Sequence, residues 1–496
     1  MDDVSPPNPV IFFLLENFPY PIVFVFGAVV GSFLNVLIYR LPLIMAQKEL
    51  QRYKESQGEK VDGPTLDING KSFCPRCNHY LAWWQNVPIF GFLYLGGRCA
   101  YCKVRISWRY FAVELLNACL WVALLYHIQP KDSLVLWFDF AFQALFVSVL
   151  VAMIFIDLDH FIAPDELNVA AAALGVGRDV VCLGLVWMLS RTANYGSTYW
   201  SQLSGQYLSF GAIPNALVGA VAYGLVLLAV SVAGFVYYAK PPWEPFGSAI
   251  RRYFTFADPP PPPADYVMPP EEAEEAELVE EGEPGEATRL GLAPGALALL
   301  SALVLFPAAG WFALLFFIIP LVAFLFISPV PGESPVQTIQ RFFSVEDQAG
   351  LPDDALPVDS VSGNDTTRQL EAAMQEEADQ FAREAETGQH GGMGMGDVKL
   401  AFGIGALLGP GLALLSLLFA TFLGAVTGIL LAATKGKTLR TGVPFVPFMA
   451  AGAIIALLWG NAVIGWYISI SGLNKTDDPV PPPNTPAMVR PAEPRP

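Results

Sequence analysis

Residues 22–43, IVFVFGAVVGSFLNVLIYRLPL, form an apolar run with no Lys or Arg before Arg40. An α-helix rises about 1.5 Å per residue, so this run is long enough to cross the roughly 30 Å of hydrocarbon in a bilayer. It also lacks the basic segment that precedes the apolar part of a cleaved signal peptide. We therefore expect it to persist as a first membrane span.

The composition of the whole chain agrees with this prediction. Of its 496 residues, 54% are hydrophobic and 15% are charged, and the mean hydropathy is +0.45. Such a chain is too apolar for a soluble enzyme, a secreted disulfide scaffold or a nucleic-acid-binding domain, so we expect membrane lipids and no nucleic acid as partners. Further spans are predicted at 110–128, 134–156, 166–189, 212–239, 397–409, 411–434 and 445–470, with a hairpin of two spans at 291–329. The predicted fold class is an all-α polytopic membrane protein with about ten transmembrane helices.

The charges of the chain are distributed very unevenly. The net charge of -17 is concentrated in residues 258–290, with 11 acidic and 1 basic residue, and residues 331–390, with 13 acidic and 3 basic. Both stretches are predicted to be largely disordered loops. The loop at 44–109 instead holds ten basic residues. The positive-inside rule therefore predicts that this loop lies in the cytoplasm and the N-terminus outside.

Four of the six cysteines form two CxxC pairs, Cys74 with Cys77 and Cys99 with Cys102. Each pair places two thiolates on one tight turn, and two such turns supply the four ligands of a tetrahedral zinc ion. A disulfide pair or a reactive dithiol would use the same residues, but stable disulfides are rare in a reducing cytoplasm. We predict a small cytoplasmic zinc-binding loop domain with a structural metal.

Acidic residues lie where predicted spans end or begin. Asp157, Asp159 and Asp165 follow the span that starts at residue 134, and the segment 391–397, GGMGMGD, precedes a later span. Carboxylates at span ends also act as simple interfacial anchors, but an even number of predicted spans separates the two segments and puts them on one face. Two carboxylates that approach each other can share a proton and act as base and acid, which is the chemistry of aspartic proteases.

Two glycines in the second segment precede its aspartate. Gly394 and Gly396 have no Cβ, so a substrate backbone or another helix can come close to Asp397. With these motifs the chain resembles the bacterial prepilin leader peptidase family. The resemblance rests on residues 27–42, 74–114, the segment around Asp157, 391–409 and, more weakly, 443–448, and with the spans between them it covers 300 of the 496 residues.

The resemblance implies a membrane aspartic peptidase of the bacterial inner membrane. Such enzymes remove the leader from type IV prepilins or type II secretion pseudopilins, and many also methylate the new N-terminus with S-adenosylmethionine. The resemblance implies that Asp157 and Asp397 are the catalytic pair, whereas Asp159 and Asp165 are not at the position that the family motif marks. It associates methylation with the zinc loop, but no residue is assigned to the methyl donor.

The chain departs from the family pattern between its fifth span and the Gly-x-Gly-Asp motif. Family members usually have eight spans and almost no intervening segment there, whereas about 150 residues intervene here. We predict an N-terminal segment with the first span (1–43), the zinc loop domain (44–109), a membrane core (110–239), an insert (240–390), a second part of the membrane core (391–470) and a Pro-rich tail (471–496).

Two other functions would use the same aspartates. A transporter or metal-handling protein would place them on an ion pathway, but it would need polar residues at mid-span depth, and most predicted spans show none. A catalytically inactive scaffold for pilus assembly would not need to keep both aspartates.

Overall fold

The structure is a computed structural model. It describes residues 18–56, 81–130, 133–191, 207–209, 213–238, 244–255, 394–435 and 444–471, and single residues within 58–80 and 260–263. The predicted hairpin at 291–329 and the acidic loop at 331–390 lie outside the described residues, as do the acidic loop at 258–290 and the Pro-rich tail at 471–496 except for residues 260, 261, 263 and 471. The predicted domain boundaries stay predictions.

The described part of the chain is almost entirely helical. The helices are α1 (Pro19–Ser56), α2 (Phe90–Tyr94), α3 (Trp108–Ile128), α4 (Leu134–His160), α5 (Asp165–Ser190), α6 (Asn215–Tyr238), α7 (Phe246–Thr255), α8 (Met395–Lys435) and α9 (Val446–Ser471). A 3₁₀ turn spans Trp83–Asn86, and the two short strands β1 (Leu208–Ser209) and β2 (Ile213–Pro214) pair antiparallel.

Seven of the described helices are long and apolar enough to cross a membrane. They are α1, α3, α4, α5, α6, α8 and α9. Their positions confirm the predicted polytopic helical fold. The first helix continues 13 residues beyond the predicted end of its span, to Ser56, so its last turns extend past the apolar run.

Helix α8 reverses its direction at Gly409. This residue has φ 72° and ψ 173°, a conformation that glycine adopts without steric cost, and Pro410 follows it. On α6, Gly224 lies against the ring of Phe402 while its neighbour Tyr223 lies beside Ser416. Phe402 is seven residues before Gly409 and Ser416 is seven residues after it, yet both lie against the same turn of α6. The two arms of α8 therefore run antiparallel. This agrees with the two separate spans predicted, and the seven described helices supply eight membrane segments.

Small residues let the helices approach closely. A Cβ on Gly27 or Gly31 of α1 would lie 2.8 Å from the Cα of Ala118 or 2.7 Å from the Cα of Glu114 on α3. In lipid, helix association depends on such close backbone packing. The contact fixes α1 against α3 and so anchors both ends of the cysteine loop between them.

Candidate active site and cysteine site

Asp157 lies one turn before the end of α4. Phe161 follows the helix in the left-handed conformation, with φ 55°, and its N–H donates to the Asp157 carbonyl oxygen at 3.0 Å. The turn ends α4, and α5 begins four residues later, after Pro164. This local geometry leaves the side chain of Asp157 pointing into the protein, where the residue is only 5% exposed.

Asp397 lies in the first turn of α8. Its N–H donates to the Gly394 carbonyl oxygen at 3.2 Å, and its side chain is half-buried. The two glycines of the motif act differently. A Cβ on Gly396 would lie 2.8 Å from that of Ala163, so this glycine lets α8 dock against the turn between α4 and α5. Among the described residues, a Cβ on Gly394 would meet only the Asp397 carboxylate at 3.9 Å and the Gly396 main-chain nitrogen at 4.0 Å, so the space beside it is open on that side.

The structure brings Asp157 and Asp397 close enough to interact electrostatically. The Val446 N–H, at the start of α9, lies near the Asp157 carboxylate, while the Asp157 Oδ2 atom is buried without a hydrogen-bond partner among the described residues. Val446 belongs to the weakly matching segment 443–448, for which the sequence suggested no role. A main-chain donor has no side-chain signature, so sequence reasoning had no means of finding it.

The other two aspartates of the first segment pair with cations. Asp159 forms an ion pair with Arg109 at the start of α3, and the Arg109 guanidinium also lies 5.3 Å from the centre of the Phe155 ring. Asp165 pairs with Lys399, whose Nζ lies 2.7 and 2.8 Å from the two carboxylate oxygens. Among the described residues, no Lys or Arg forms an ion pair with Asp157 or Asp397.

A second buried polar cluster lies at the opposite end of the helices. We call this the far end, and the end with Asp157, Asp397 and the cysteine loop the loop end. Arg178 of α5 forms an ion pair with Asp139 of α4 at 2.5 Å, and its Nη1 donates to the Leu407 carbonyl oxygen at 2.9 Å. Sequence reasoning missed this cluster, although charged residues inside apolar runs are a signal for one.

Arg178 and its neighbour Asp179 stabilise opposite helix ends. Arg178 binds a carbonyl in the last turn of the first α8 arm, where helical carbonyls lose their partners. Asp179 Oδ2 accepts a hydrogen bond from the Ala216 N–H, in the first turn of α6, at 2.7 Å. The cation lies at the negative end of one helix dipole and the anion at the positive end of the other. The pair therefore fixes the position of the α8 turn.

The four predicted metal ligands converge in the loop. The sulfur atoms of Cys74, Cys77, Cys99 and Cys102 all lie within 4.8 Å of one another, with Cys74–Cys102 at 3.8 Å and Cys77–Cys99 at 3.9 Å. Tetrahedral zinc with Zn–S bonds of about 2.3 Å needs sulfur atoms about 3.8 Å apart, so the arrangement fits this ion. The four cysteines are free thiols in the structure, and a disulfide is not formed.

Each CxxC pair is held on its own tight turn. The Cys74 N–H donates to the His79 carbonyl at 3.0 Å, and the Cys99 N–H donates to the Val104 carbonyl at 2.8 Å. Burial raises the pKa of the Cys74 thiol to about 12 and also raises that of Cys102. Burial opposes ionisation of Cys99 as well, but hydrogen bonds from the Cys102 and Tyr101 main chain and from the Cys102 and Cys74 side chains together outweigh it and lower the pKa of this thiol to about 7, so Cys99 is the first of the three to ionise. Thiolates are the form that binds zinc.

Comparison with known proteins identifies one family model and several relatives. A family model described as the bacterial peptidase A24 N-terminal domain matches residues 25–128. A protein of Aeromonas hydrophila is 36% identical over 212 residues, which are 42% of this chain and 62% of the relative. A protein of Burkholderia pseudomallei strain 1026b is 28% identical over 264 residues, 46% of this chain and 84% of the relative.

Both relatives are named prepilin leader peptidase/N-methyltransferase, as is a protein of Dichelobacter nodosus that is 36% identical over 158 residues, 30% of this chain and 53% of the relative. The chain spans about three fifths of the length of the curated relatives it matches first. No solved structure matches it. These comparisons confirm the family resemblance that the motifs predicted.

Proposed function

We propose that this chain, a relative of the prepilin leader peptidases, is a membrane-embedded aspartic endopeptidase. It cleaves the leader from type IV prepilins or type II secretion pseudopilins and methylates the new N-terminus. The observation that carries the proposal is the approach of Asp157 and Asp397, which are 240 residues apart in the sequence. The names of the relatives support both activities.

The two carboxylates differ in a way that suits general acid–base catalysis. Asp157 is buried and has an unpartnered oxygen, whereas Asp397 is half-buried and reachable by water. A water between them would give its proton to an ionised carboxylate while the protonated carboxyl donates to the carbonyl oxygen of the scissile peptide. The open space beside Gly394 would receive the substrate backbone. Asp159 and Asp165 are held in ion pairs and are not available for this role.

The side of the membrane follows from the loop. The ion pair between Asp159 and Arg109, at the start of α3, places the aspartates at the same end as the cysteine loop. Because that loop is rich in basic residues, the positive-inside rule supports a cytoplasmic active site in a bacterial inner membrane.

Zinc and the methyl donor have different roles in the proposal. Cys74, Cys77, Cys99 and Cys102 would hold one zinc ion, whose four-thiolate shell leaves no open position and so ties the two turns together without entering the reaction. S-adenosylmethionine would supply the methyl group. No described residue is assigned to its binding.

The decisive experiment uses the purified full chain in lipid vesicles with a prepilin. Mass spectrometry should find the shortened product without S-adenosylmethionine, and a product heavier by one methyl group with it. The Asp397→Asn variant should give neither cleaved product, and Asp159→Asn serves as the matched control. Normal cleavage by Asp397→Asn would refute the proposed catalytic pair, and cleavage without methylation would remove the second activity.

A further inference from the structure

The loop between the two CxxC pairs exposes an unusual number of aromatic side chains. Trp83 is 82% exposed, Tyr94 80% and Phe90 66%, and Leu93 and Trp84 are also exposed. An exposed apolar surface of this kind marks an interaction site in most proteins. Trp and Tyr in particular are concentrated where a membrane meets water.

The middle of this segment lies at membrane depth. Ile89 is buried, its N–H donates to Glu114 Oε2 at 2.7 Å, and its side chain packs with Ala28 of α1 and Ala118 of α3. Helix α3 begins at Trp108 and is 21 residues long, about 31 Å, which is the thickness of the hydrocarbon core. Glu114 and Ala118 are six and ten residues into α3, about 9 and 15 Å along its axis. Ile89 is therefore below the membrane surface, not above it.

Helix α2 starts at the residue after Ile89. Ile89 has φ 64°, which turns the chain sharply, and α2 then exposes Phe90, Leu93 and Tyr94. The Tyr94 ring meets the Trp84 ring edge-on at 5.7 Å, so the two ends of the segment close on each other. At the depth that the length of α3 gives Ile89, these exposed side chains would lie at the level of the acyl chains.

The charges around the segment match this environment. Residues 71–113 contain six Lys or Arg and no Asp or Glu. Arg98, Lys103 and Arg105, which follow the segment, are exposed. Basic side chains beside a membrane surface are attracted to anionic headgroups.

We propose that Trp83–Leu95 is a re-entrant segment that dips into the leaflet on the loop side of the membrane, with its aromatic face among acyl chains and its basic flank on anionic phospholipid headgroups. This surface is independent of the aspartate pair. It anchors the cysteine loop beside the start of α3.

The test places one fluorescent label on the full chain in vesicles of phosphatidylcholine and phosphatidylglycerol. Cys119→Ala and Cys182→Ala remove the thiols outside the metal site, zinc protects the other four, and Tyr94→Cys carries an NBD group. Lys48→Cys, on the exposed part of α1, is the water-facing control. Leu225→Cys, on the exposed face of α6, is the lipid-facing control. Zinc content is measured for each variant to confirm that the loop is intact.

Quenching of the label by lipids with brominated acyl chains should be as strong at Tyr94→Cys as at Leu225→Cys, to within twofold. Quenching by aqueous iodide should be several times weaker at Tyr94→Cys than at Lys48→Cys. Phe90→Cys should behave in the same way if Tyr94→Cys does not fold. A label at both positions that follows Lys48→Cys, with strong iodide and weak bromine quenching, would overturn the proposal and leave the aromatic face to a protein partner or a second copy of the chain.

Discussion

The two ends of the helix bundle bury polar groups in opposite ways. At the far end, Asp139 and Asp179 both have Arg178 as a partner, and Arg178 and Asp179 also bind helix ends. At the loop end, Asp157 and Asp397 interact with each other and have no Lys or Arg as an ion-pair partner among the described residues. Each end also holds a buried carboxylate oxygen without a hydrogen bond among the described residues, Asp157 Oδ2 at the loop end and Asp179 Oδ1 at the far end. Burying an unpaired charged or polar group is costly, so a fold that depends on it for stability would pair it. The far end is built for stability, and the loop end tolerates a cost that catalysis would explain.

The strongest test of this comparison is to replace one aspartate of the pair at the loop end with a neutral residue. Asp157→Asn or Asp397→Asn should lower prepilin cleavage by about 10³-fold or more, because a single carboxyl cannot act as both acid and base. The thermal midpoint should stay the same or rise, since the change removes an ionisable group that has no cation partner among the described residues. Both are measured on the same vesicle preparation. A variant that cleaves normally but unfolds at a lower temperature would make the pair structural.

Removing the cation at the far end should lower stability and leave cleavage nearly unchanged, the reverse of the result expected at the loop end. Arg178→Met leaves Asp139 buried without its cation, and breaking a buried pair in this way costs about 3–5 kcal/mol of stability. Denaturant titration should show this loss, and the cleavage rate of the remaining folded protein should change little.

The double variant Asp139→Leu with Arg178→Met is the control for that experiment. Replacing both members with apolar residues should recover most of the lost stability. If Arg178→Met abolishes cleavage while the protein stays folded, the position of the α8 turn controls the aspartate pair and the two ends are not independent.

The cysteine site offers a further test of the comparison. It lies at the loop end, but its four thiolates would fill the coordination shell of one metal ion and so play a structural role. Purified protein should hold about one zinc per chain, and Cys74→Ser should lose it, because three thiolates bind the ion far more weakly than four. We expect methylation to fall more than cleavage, whose loss should stay within about tenfold. Metal analysis and the two activities are measured together. A metal-free protein with four titratable thiols would support a reactive dithiol instead.

The smallest effect is expected at Asp159, two residues from the proposed catalytic position. Its partner Arg109 is buried and would lose its anion, so Asp159→Asn should lower stability. Because Asp159 is outside the proposed acid–base pair, cleavage by the folded variant should fall by less than about tenfold. Initial rates of cleavage, measured over a range of prepilin concentrations, test this prediction. A loss as large as that of Asp157→Asn would mean that the ion pair belongs to the reaction.

Sequence reasoning located the features that have a local pattern. Apolar runs gave the spans, glycines gave the close approach of α8 at Gly396, and the CxxC spacing gave the cysteine site. The family resemblance also supplied the pairing of Asp157 with Asp397, but sequence reasoning missed distant contacts that no motif marks. The partners Asp139 and Arg178 are 39 residues apart, and nothing in either span indicates which charge lies opposite. The group at Val446 that lies near Asp157 is a main-chain N–H, which any residue except proline would supply.

Asp157 is translated 240 residues before Asp397. At 5–20 residues per second, a ribosome needs roughly 12 to 48 s to pass from one to the other. During that interval the helices up to α6 can enter the membrane with Asp157 but without its partner. The proposed hydrolytic site therefore assembles only when the two arms of α8 dock beside α5 and α6, and a growing chain is inactive toward substrates until α8 has been made.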